Sequence, residues 1–344
     1  MAAPTIAVVI LNWNGKQLLE RFLPGTIKNT PPGVEIIVAD NASKDNSLET
    51  LKEKFPAVRT IALDKNYGFA GGYNRALQQV EADYYVLLNS DMEVTEEWIE
   101  PCIRLLESNA GVAACQPKVR SLNTPGYFEY AGAAGGFVDH MGFPFCRGRI
   151  FFTIEKDNGQ YDDPREIFWA TGASMFIRAT TFHEAGGFDE RFFAHMEEVD
   201  LCWRLQNLGY RIMACPPSVV LHLGGGSLPA SSPQKTYLNF RNSLWMLAKN
   251  VPGWYFYRRI VVRLALDGIA AAKFLLQGQF RDCWAVMKAH MTFVRSFRMM
   301  RKESRRLPEA LPPMLYRKSI VIDYFLRGKK NFSDLRLKAS RANK

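Results

Sequence analysis

The sequence predicts an α/β protein built on a mostly parallel sheet with helices on both faces. Three observations lead there. Short apolar runs recur at residues 6–11, 34–39, 58–63 and 84–88, each of strand length and rich in Val, Ile and Leu. Segments with helical spacing separate them, the alternation expected of a sheet with crossover helices. Polar residues gather at the ends of the second and fourth runs, where sheets of this kind bind ligands.

Residues 6–11 (IAVVIL) read as a first strand buried on both faces. Leu18, Leu19, Phe22 and Leu23 give residues 16–29 a helical face, ended by Pro31, Pro32 and Gly33. The second strand, 34–39, runs into Asp40, and residues 47–55 make the next helix. A third strand at 58–63 leads to a turn with Gly68, Gly71 and Gly72, and a helix is expected from about Tyr73 to Val80. The fourth strand, 84–88, ends in Asn89–Ser90–Asp91, and Thr95 is a plausible start for the next helix.

Residues 120–165 are Gly-rich and aromatic without clear periodicity and predict loops and short strands. EIFWATGASMFIR then reads as strand, tight turn and strand, and HMEEVDLCWRLQNLGY as a helix that Gly209 caps. The Pro- and Ser-rich stretch from Leu228 to Pro233 is the expected boundary between residues 1–227 and residues 228–344.

The whole chain is 344 residues long with a net charge of +10. That charge is uneven. Residues 228–344 hold 24 Lys and Arg against 6 Asp and Glu, whereas residues 1–227 hold 20 against 28. Opposite charge predicts separate tasks, with the basic part meeting something anionic. Its basic residues are interleaved with Trp, Phe and Leu, which fits an anionic lipid surface at least as well as nucleic acid. Arg263, Asp267 and Lys273 interrupt its longest apolar stretch, so amphipathic helices lying on a surface are expected and a spanning helix is not. The mean hydropathy of −0.16 agrees. The first apolar run is too short for a secretory signal, and six cysteines without regular spacing point to a reducing compartment. Together these predict a cytoplasmic protein, peripheral on the inner face of the plasma membrane.

Several polar groups carry two readings from the residues alone. Asp40 either shapes an Asx turn before the next helix or binds a ligand. Asn89, Asp91 and Glu93 lie at alternate positions on one face of an extended chain, as a metal site or as a polar strand end. Glu197, Glu198 and Asp200 either favour a helix dipole or supply a crowded, apolar-flanked carboxylate suited to base work. His222 is either structural or a partner of Asp91 on a hard or borderline metal ion. The glycine turn either packs a helix entry or brings the backbone to a nucleotide, with Arg75 near a phosphate.

Taken in order, VVILNWNG, VADNASKDNS, NYGFAGGYNRAL, LLNSDMEV, GGFDERFFAHMEEVDLCWRL and VVLHLGGGS resemble a family 2 glycosyltransferase of the GT-A fold. The tail, with YLNFRNSLWML, resembles the C-terminal extension of bacterial rhamnosyltransferase-like members. The resemblance implies that Asp40 hydrogen-bonds the nucleobase of a nucleoside diphosphate sugar, UDP- or dTDP-linked. It implies that Asn12, Asn66, Gly68, Phe69 and Asn74 line the nucleotide pocket. Asn89 stands at the first place of the D-x-D pattern and would reach ribose or sugar. Asp91 stands at the last, where the family holds Mn²⁺ or Mg²⁺, and His222 closes that metal site. Glu93 then has a supporting role. Glu198 takes the base position after Glu197, where the family more often has Asp, so either glutamate is a candidate. Gly172 and Ala173 resemble the turn near donor sugar and acceptor, and Arg241 is a candidate for the diphosphate.

The expected reaction is inverting transfer of a sugar, with rhamnose the donor by resemblance, to a glycan or polyprenyl-linked acceptor in cell-surface polysaccharide synthesis. An inactive sugar-nucleotide binding module of the same fold is the alternative. A dehydrogenase is disfavoured by the missing G-x-G-x-x-G pattern.

Overall fold

The computed structural model describes residues 3–224, 232–303 and 310–337. Its first half alternates as the sequence predicts: β1 Ile6–Asn12, α1 Lys16–Asn29, β2 Glu35–Asp40, α2 Ser47–Lys54, β3 Arg59–Ala62, α3 Gly68–Leu77 and β4 Tyr84–Asn89. After these come β5 Met92–Val94, α4 Glu100–Glu107 and β6 Val112–Ser121. Four short strands are next: β7 Gly136–Val138, β8 Pro144–Cys146, β9 Arg149–Ile150 and β10 Thr153–Ile154. Then come β11 Arg165–Ile167, β12 Ser174–Arg178, α5 Ala179–Glu184, α6 Glu197–Asn207 and β13 Arg211–His222. The tail is helical: α7 Pro233–Asn250, α8 Gly253–Leu276, α9 Phe280–Glu303 and α10 Ile320–Phe325.

The main sheet runs β11-β13-β6-β12-β4-β1-β2-β3, with β5 paired to β13. From β3 to β4 every pairing is parallel, and β1 is the central strand of that set. The alternation of β1 shows why it forms. Ala7 and Val9 enter one apolar core, and Val8 and Ile10 enter the other, so both faces are dry and the strand reads as an unbroken apolar run.

Beyond β4 the sheet is mixed. β12 lies antiparallel between β4 and β6, while β6 and β13 pair in parallel. The strand–turn–strand expected over 166–178 is therefore not a hairpin. β11 pairs with β13 and β12 with β4, because six residues between them carry the chain across the sheet to a different neighbour. Two predicted helix starts also move. The helix expected from Tyr73 begins at Gly68, so the glycines lie inside it. The helix placed at Thr95 begins at Glu100, because the Thr95 hydroxyl donates to the Val219 carbonyl at 2.7 Å and ties its segment to β13.

The expected boundary at Leu228 to Pro233 falls mainly outside the described residues. The chain beyond that boundary is no loose appendage. Leu244, Met246, Tyr316 and Phe332 share one apolar core with Ile177, Trp203 and Phe137. Tyr316 pairs with Asp139, and Ile320 N–H donates to Asp139 Oδ2 at 2.9 Å.

The α7–α6 contact is ionic and buried. Lys249 bonds to Asp189 and lies 3.0 Å from Asp200 Oδ2. Asn250 Nδ2 donates to Asp200 Oδ1 at 2.7 Å, and Arg204 Nε to Asp200 Oδ2 at 2.9 Å. Burial by itself would raise both acids, but Lys249 and the neighbouring arginines outweigh it and hold both below the usual carboxylate range. Lys249→Met strands two buried carboxylates. Breaking such a pair costs about 3–5 kcal/mol, and the low end applies because Arg191 and Arg204 remain. The variant is expected to show that loss in chemical denaturation, whereas an unchanged midpoint would mean that the arginines suffice.

Candidate functional site

The carboxyl ends of β1, β2 and β4 open on one edge of the sheet. Asn12 lies opposite Asp40 in the β1–β2 register, and both side chains are buried. Asn12 Nδ2 donates to Asp40 Oδ2 at 2.9 Å and to Ser43 Oγ at 3.2 Å. Ser43 N–H donates to Asp40 Oδ1 at 2.8 Å. Asp40 thus makes the local turn contact and is also held rigidly by Asn12 at the strand edge.

Beside it, Asn66 Oδ1 accepts from Gly68 N–H at 2.8 Å and from Asn41 Nδ2 at 3.1 Å. Asn41 Nδ2 also donates to the Gly68 carbonyl at 2.9 Å. This fixes the turn into α3. Gly68 has φ +72°, and a Cβ there would lie 2.5 Å from the Phe193 carbonyl, so only glycine fits. That carbonyl accepts from the N–H groups of Phe69 and Ala70 at 2.7 and 3.2 Å. The first amides of α3 are therefore engaged by the loop before α6.

That loop carries the acids. Phe193, His195 and Met196 have φ of +66°, +70° and +72°, a costly run for residues with side chains. Asn242 of α7 holds it in place. Its buried Nδ2 lies 3.0, 2.9 and 2.7 Å from the carbonyls of Phe192, Ala194 and His195. Arg241 belongs to the same clamp, donating to the Arg191 and Phe192 carbonyls at 3.1 and 2.9 Å and lying 4.1 Å from the Trp245 ring centre. The sequence presented α7 as a helix and gave no sign of this use of Asn242.

Glu197 is buried, and Glu198 is partly exposed although its Oε2 is buried without a hydrogen-bond partner. Burial lifts Glu198 to about 7, against the amides of the first turn of α6. Burial, and then the charge of Glu198, push Glu197 well above the usual range. Gly172 lets Phe69 and Glu198 approach the same point. A Cβ on Gly172 would stand 2.9 Å from Phe69 Cζ and 3.8 Å from Glu198 Cβ. Phe69, Gly172 and Glu198, distant in sequence, thus form one wall.

The third group is Asp91 with His222. His222 is opposite Met92 in the β5–β13 register, and its Nε2 lies 3.1 Å from Asp91 Oδ1. On the other side of the ring Nδ1 lies 3.2 Å from Glu129 Oε2. Burial disfavours the imidazolium, but contacts with Asp91 and Glu129 outweigh it and raise His222 to about 10. The 3.1 Å contact is a hydrogen bond between a protonated imidazole and a carboxylate, so a divalent cation shared by Asp91 and Nε2 would have to displace that proton. Among the described residues no group of three or more His, Cys, Asp and Glu side chains is arranged to hold a metal. Glu129 faces the far nitrogen and is placed to orient the ring. It was missed because its segment has no periodicity. Asn89 ends β4, where its N–H donates to the Ala173 carbonyl at 3.0 Å. Glu93 points outward.

Two residues expected near the nucleotide, Asn74 and Arg75, are engaged by protein groups. Asn74 donates to the Phe188 carbonyl at 2.8 Å and accepts from its N–H at 2.9 Å, so its carboxamide is a strut between α3 and the acid-bearing loop. Arg75 pairs with Glu190 at 2.7 Å and stacks over Tyr67 at 3.6 Å.

Solved structures share this architecture. A structure of GalNAc-T7 with UDP, GalNAc and Mn²⁺ aligns with a TM-score of 0.56 and 18% identity, over 74% of this chain and 49% of that one. S. aureus TarS 1–349 with UDP-GlcNAc aligns with a TM-score of 0.54 and 13% identity, over 88% and 92%. These likenesses establish the GT-A fold. In sequence, the N-acetylglucosaminyl-diphospho-decaprenol L-rhamnosyltransferase of Mycobacterium tuberculosis (strain CDC 1551 / Oshkosh) is 25% identical over 286 residues, 78% of this chain and 91% of that protein. Rhamnosyltransferase WbbL of Escherichia coli (strain K12) is 25% identical over 167 residues, 45% and 61%. The signature of the family described as Glycosyl transferase family 2 matches residues 7–178. That span opens in β1, closes at the end of β12 and takes in each strand whose end carries Asn12, Asp40 or Asn89, and the chain accordingly belongs to glycosyl transferase family 2.

Proposed function

We propose that the protein is an inverting, metal-dependent glycosyltransferase that moves a sugar from a UDP- or dTDP-linked donor to a hydroxyl of a glycan or polyprenyl-linked acceptor in cell-surface polysaccharide synthesis. The observation that carries the reading is the wall formed by Phe69, Gly172 and Glu198, in which burial raises Glu198 to about 7. The similarity to the mycobacterial rhamnosyltransferase supports a rhamnose donor and a lipid-linked acceptor.

Asp40 and Asn12 hold the base end of the nucleotide, and Asn89 reaches its ribose or sugar. Asp91 and His222, once its imidazole is neutral, would hold Mn²⁺ or Mg²⁺, which would supply the positive charge that the departing diphosphate needs. Glu198 accepts the proton of the acceptor hydroxyl. The hydroxyl oxygen bonds to the anomeric carbon from the face opposite the diphosphate, and the electron pair of the breaking bond leaves with the diphosphate. One displacement inverts the centre. Glu197, the other candidate base, is more deeply buried, and burial with the charge of Glu198 beside it keeps it protonated more firmly than Glu198.

A thermal-shift screen of nucleoside diphosphate sugars with and without Mn²⁺ tests the reading. Stabilisation by a UDP- or dTDP-sugar that requires Mn²⁺ is expected. If no such sugar shifts the melting point, the assignment fails. Glu129 supplies a separate check as a positioning residue. Because a carboxylate behind a metal-binding imidazole fixes its orientation, Glu129→Gln is expected to weaken Mn²⁺ binding about 10- to 100-fold, measured by titration calorimetry, with Glu129→Asp partly restoring it. Equal Mn²⁺ affinity in all three proteins would remove Glu129 from this role.

A further inference from the structure

α8 carries its polarity the wrong way round for a helix in water. Arg263 and Asp267 pair at 2.8 Å on its inner face and are 3% and 1% exposed. Its outer face presents Val261, Ile269 and Leu276 at 68%, 67% and 88% exposure, with Trp254 one turn before Arg258. A soluble surface helix does the opposite. The inner pair is also tied down: Arg263 donates to Ser243 at 2.8 Å and to the Met141 carbonyl at 3.1 Å, and His290 of α9 lies 3.3 Å from Asp267.

α9 repeats the theme with charge beside it. Phe280, Trp284, Met287, Met291 and Val294 are exposed at helical spacing. Arg281, Lys288 and Arg295 run along the same side at intervals of seven, two helical turns apart. Among the described residues none of these three, nor Arg258, Lys273 or Arg298, has a carboxylate within ion-pair distance. A groove lined by Met141, Val262, Leu266 and Ile322, with Lys318 and Arg327 on its wall, borders α8. No helix is long and apolar enough to cross a bilayer among the described residues.

We propose that the outer faces of α8 and α9 are a docking surface for an anionic lipid bilayer. The apolar side chains enter the acyl boundary and the arginines and lysines meet headgroup phosphates. A second copy of the chain is the poorer occupant, because a two-fold contact would set the basic row of α9 against itself. The proposal deepens the lipid-linked-acceptor reading and rests on it only for its use. Docked this way, the transferase stays at the surface that holds its acceptor.

The test is flotation of the full chain with vesicles of phosphatidylcholine alone and of phosphatidylcholine mixed with phosphatidylglycerol. Flotation with the mixed vesicles that falls as salt rises is expected, with a blue shift of tryptophan emission. Ile269→Glu with Trp284→Glu is expected to cut vesicle binding about tenfold or more, as is Lys288→Glu with Arg295→Glu. Melting temperature and Mn²⁺-dependent sugar-nucleotide stabilisation should stay as in the wild type. That last readout needs no lipid, so it separates failure of docking from failure of the transferase reading. The proposal is overturned if the wild type ignores anionic vesicles or if the Ile269/Trp284 variant floats as the wild type does. It is equally overturned if the wild type is an oligomer that this variant turns into a monomer without either binding vesicles.

Discussion

Glu198→Gln is expected to lower kcat by about 10²–10⁴-fold, the usual worth of a general base, while leaving sugar-nucleotide binding intact. The change keeps shape and removes only the capacity to take a proton. In the wild type the rate should rise with pH through about 7, because Glu198 works only when ionised. A second readout checks the same group without turnover. A carboxyl whose pKa is raised on folding binds its proton more tightly in the folded state. Wild-type stability therefore falls as pH rises from the unfolded value of 4.5 to about 7. Glu198→Gln deletes that penalty, so its melting point relative to wild type should climb across this window. If Glu197→Gln lost turnover while Glu198→Gln kept it, the base would be Glu197.

Asp91→Ala is expected to lose the metal and about 10³-fold or more in rate, since the cation supplies several kcal/mol of charge stabilisation. It removes a carboxylate from one side of a buried imidazole and leaves Glu129 on the other. Mn²⁺ should then no longer enhance stabilisation by the donor, as measured by thermal shift. Retained Mn²⁺-dependent turnover would mean that His222 and the diphosphate suffice without Asp91.

The features legible in the sequence were local ones. The parallel half of the sheet announces itself because each strand is dry on both faces and so is uniformly apolar. Asp40 and Asp91 were readable because strand ends are where such folds place polar side chains. The remainder depends on partners far along the chain. Asn74 looked like a pocket residue, yet its partner is Phe188, 114 residues away. Arg75 looked free for phosphate until Glu190 came beside it. Gly172 was recognised by resemblance alone; its physical role, letting Phe69 and Glu198 close on one another, exists only after folding. Glu129 sits in an irregular stretch with no period to give it a direction. The tail announced amphipathic helices, but not that α8 would turn its ion pair inward and its aliphatic residues out.

The clamp made by Asn242 sets an order of events during synthesis. A chain made as far as Gly224 contains the residues of every strand and both glutamates. It still lacks the side chain that holds three carbonyls of the strained loop beneath them. The loop that positions Glu198, the proposed base, therefore gains these bonds only after α7 has emerged and docked. The site is therefore complete only with the segment that leads into α8 and α9.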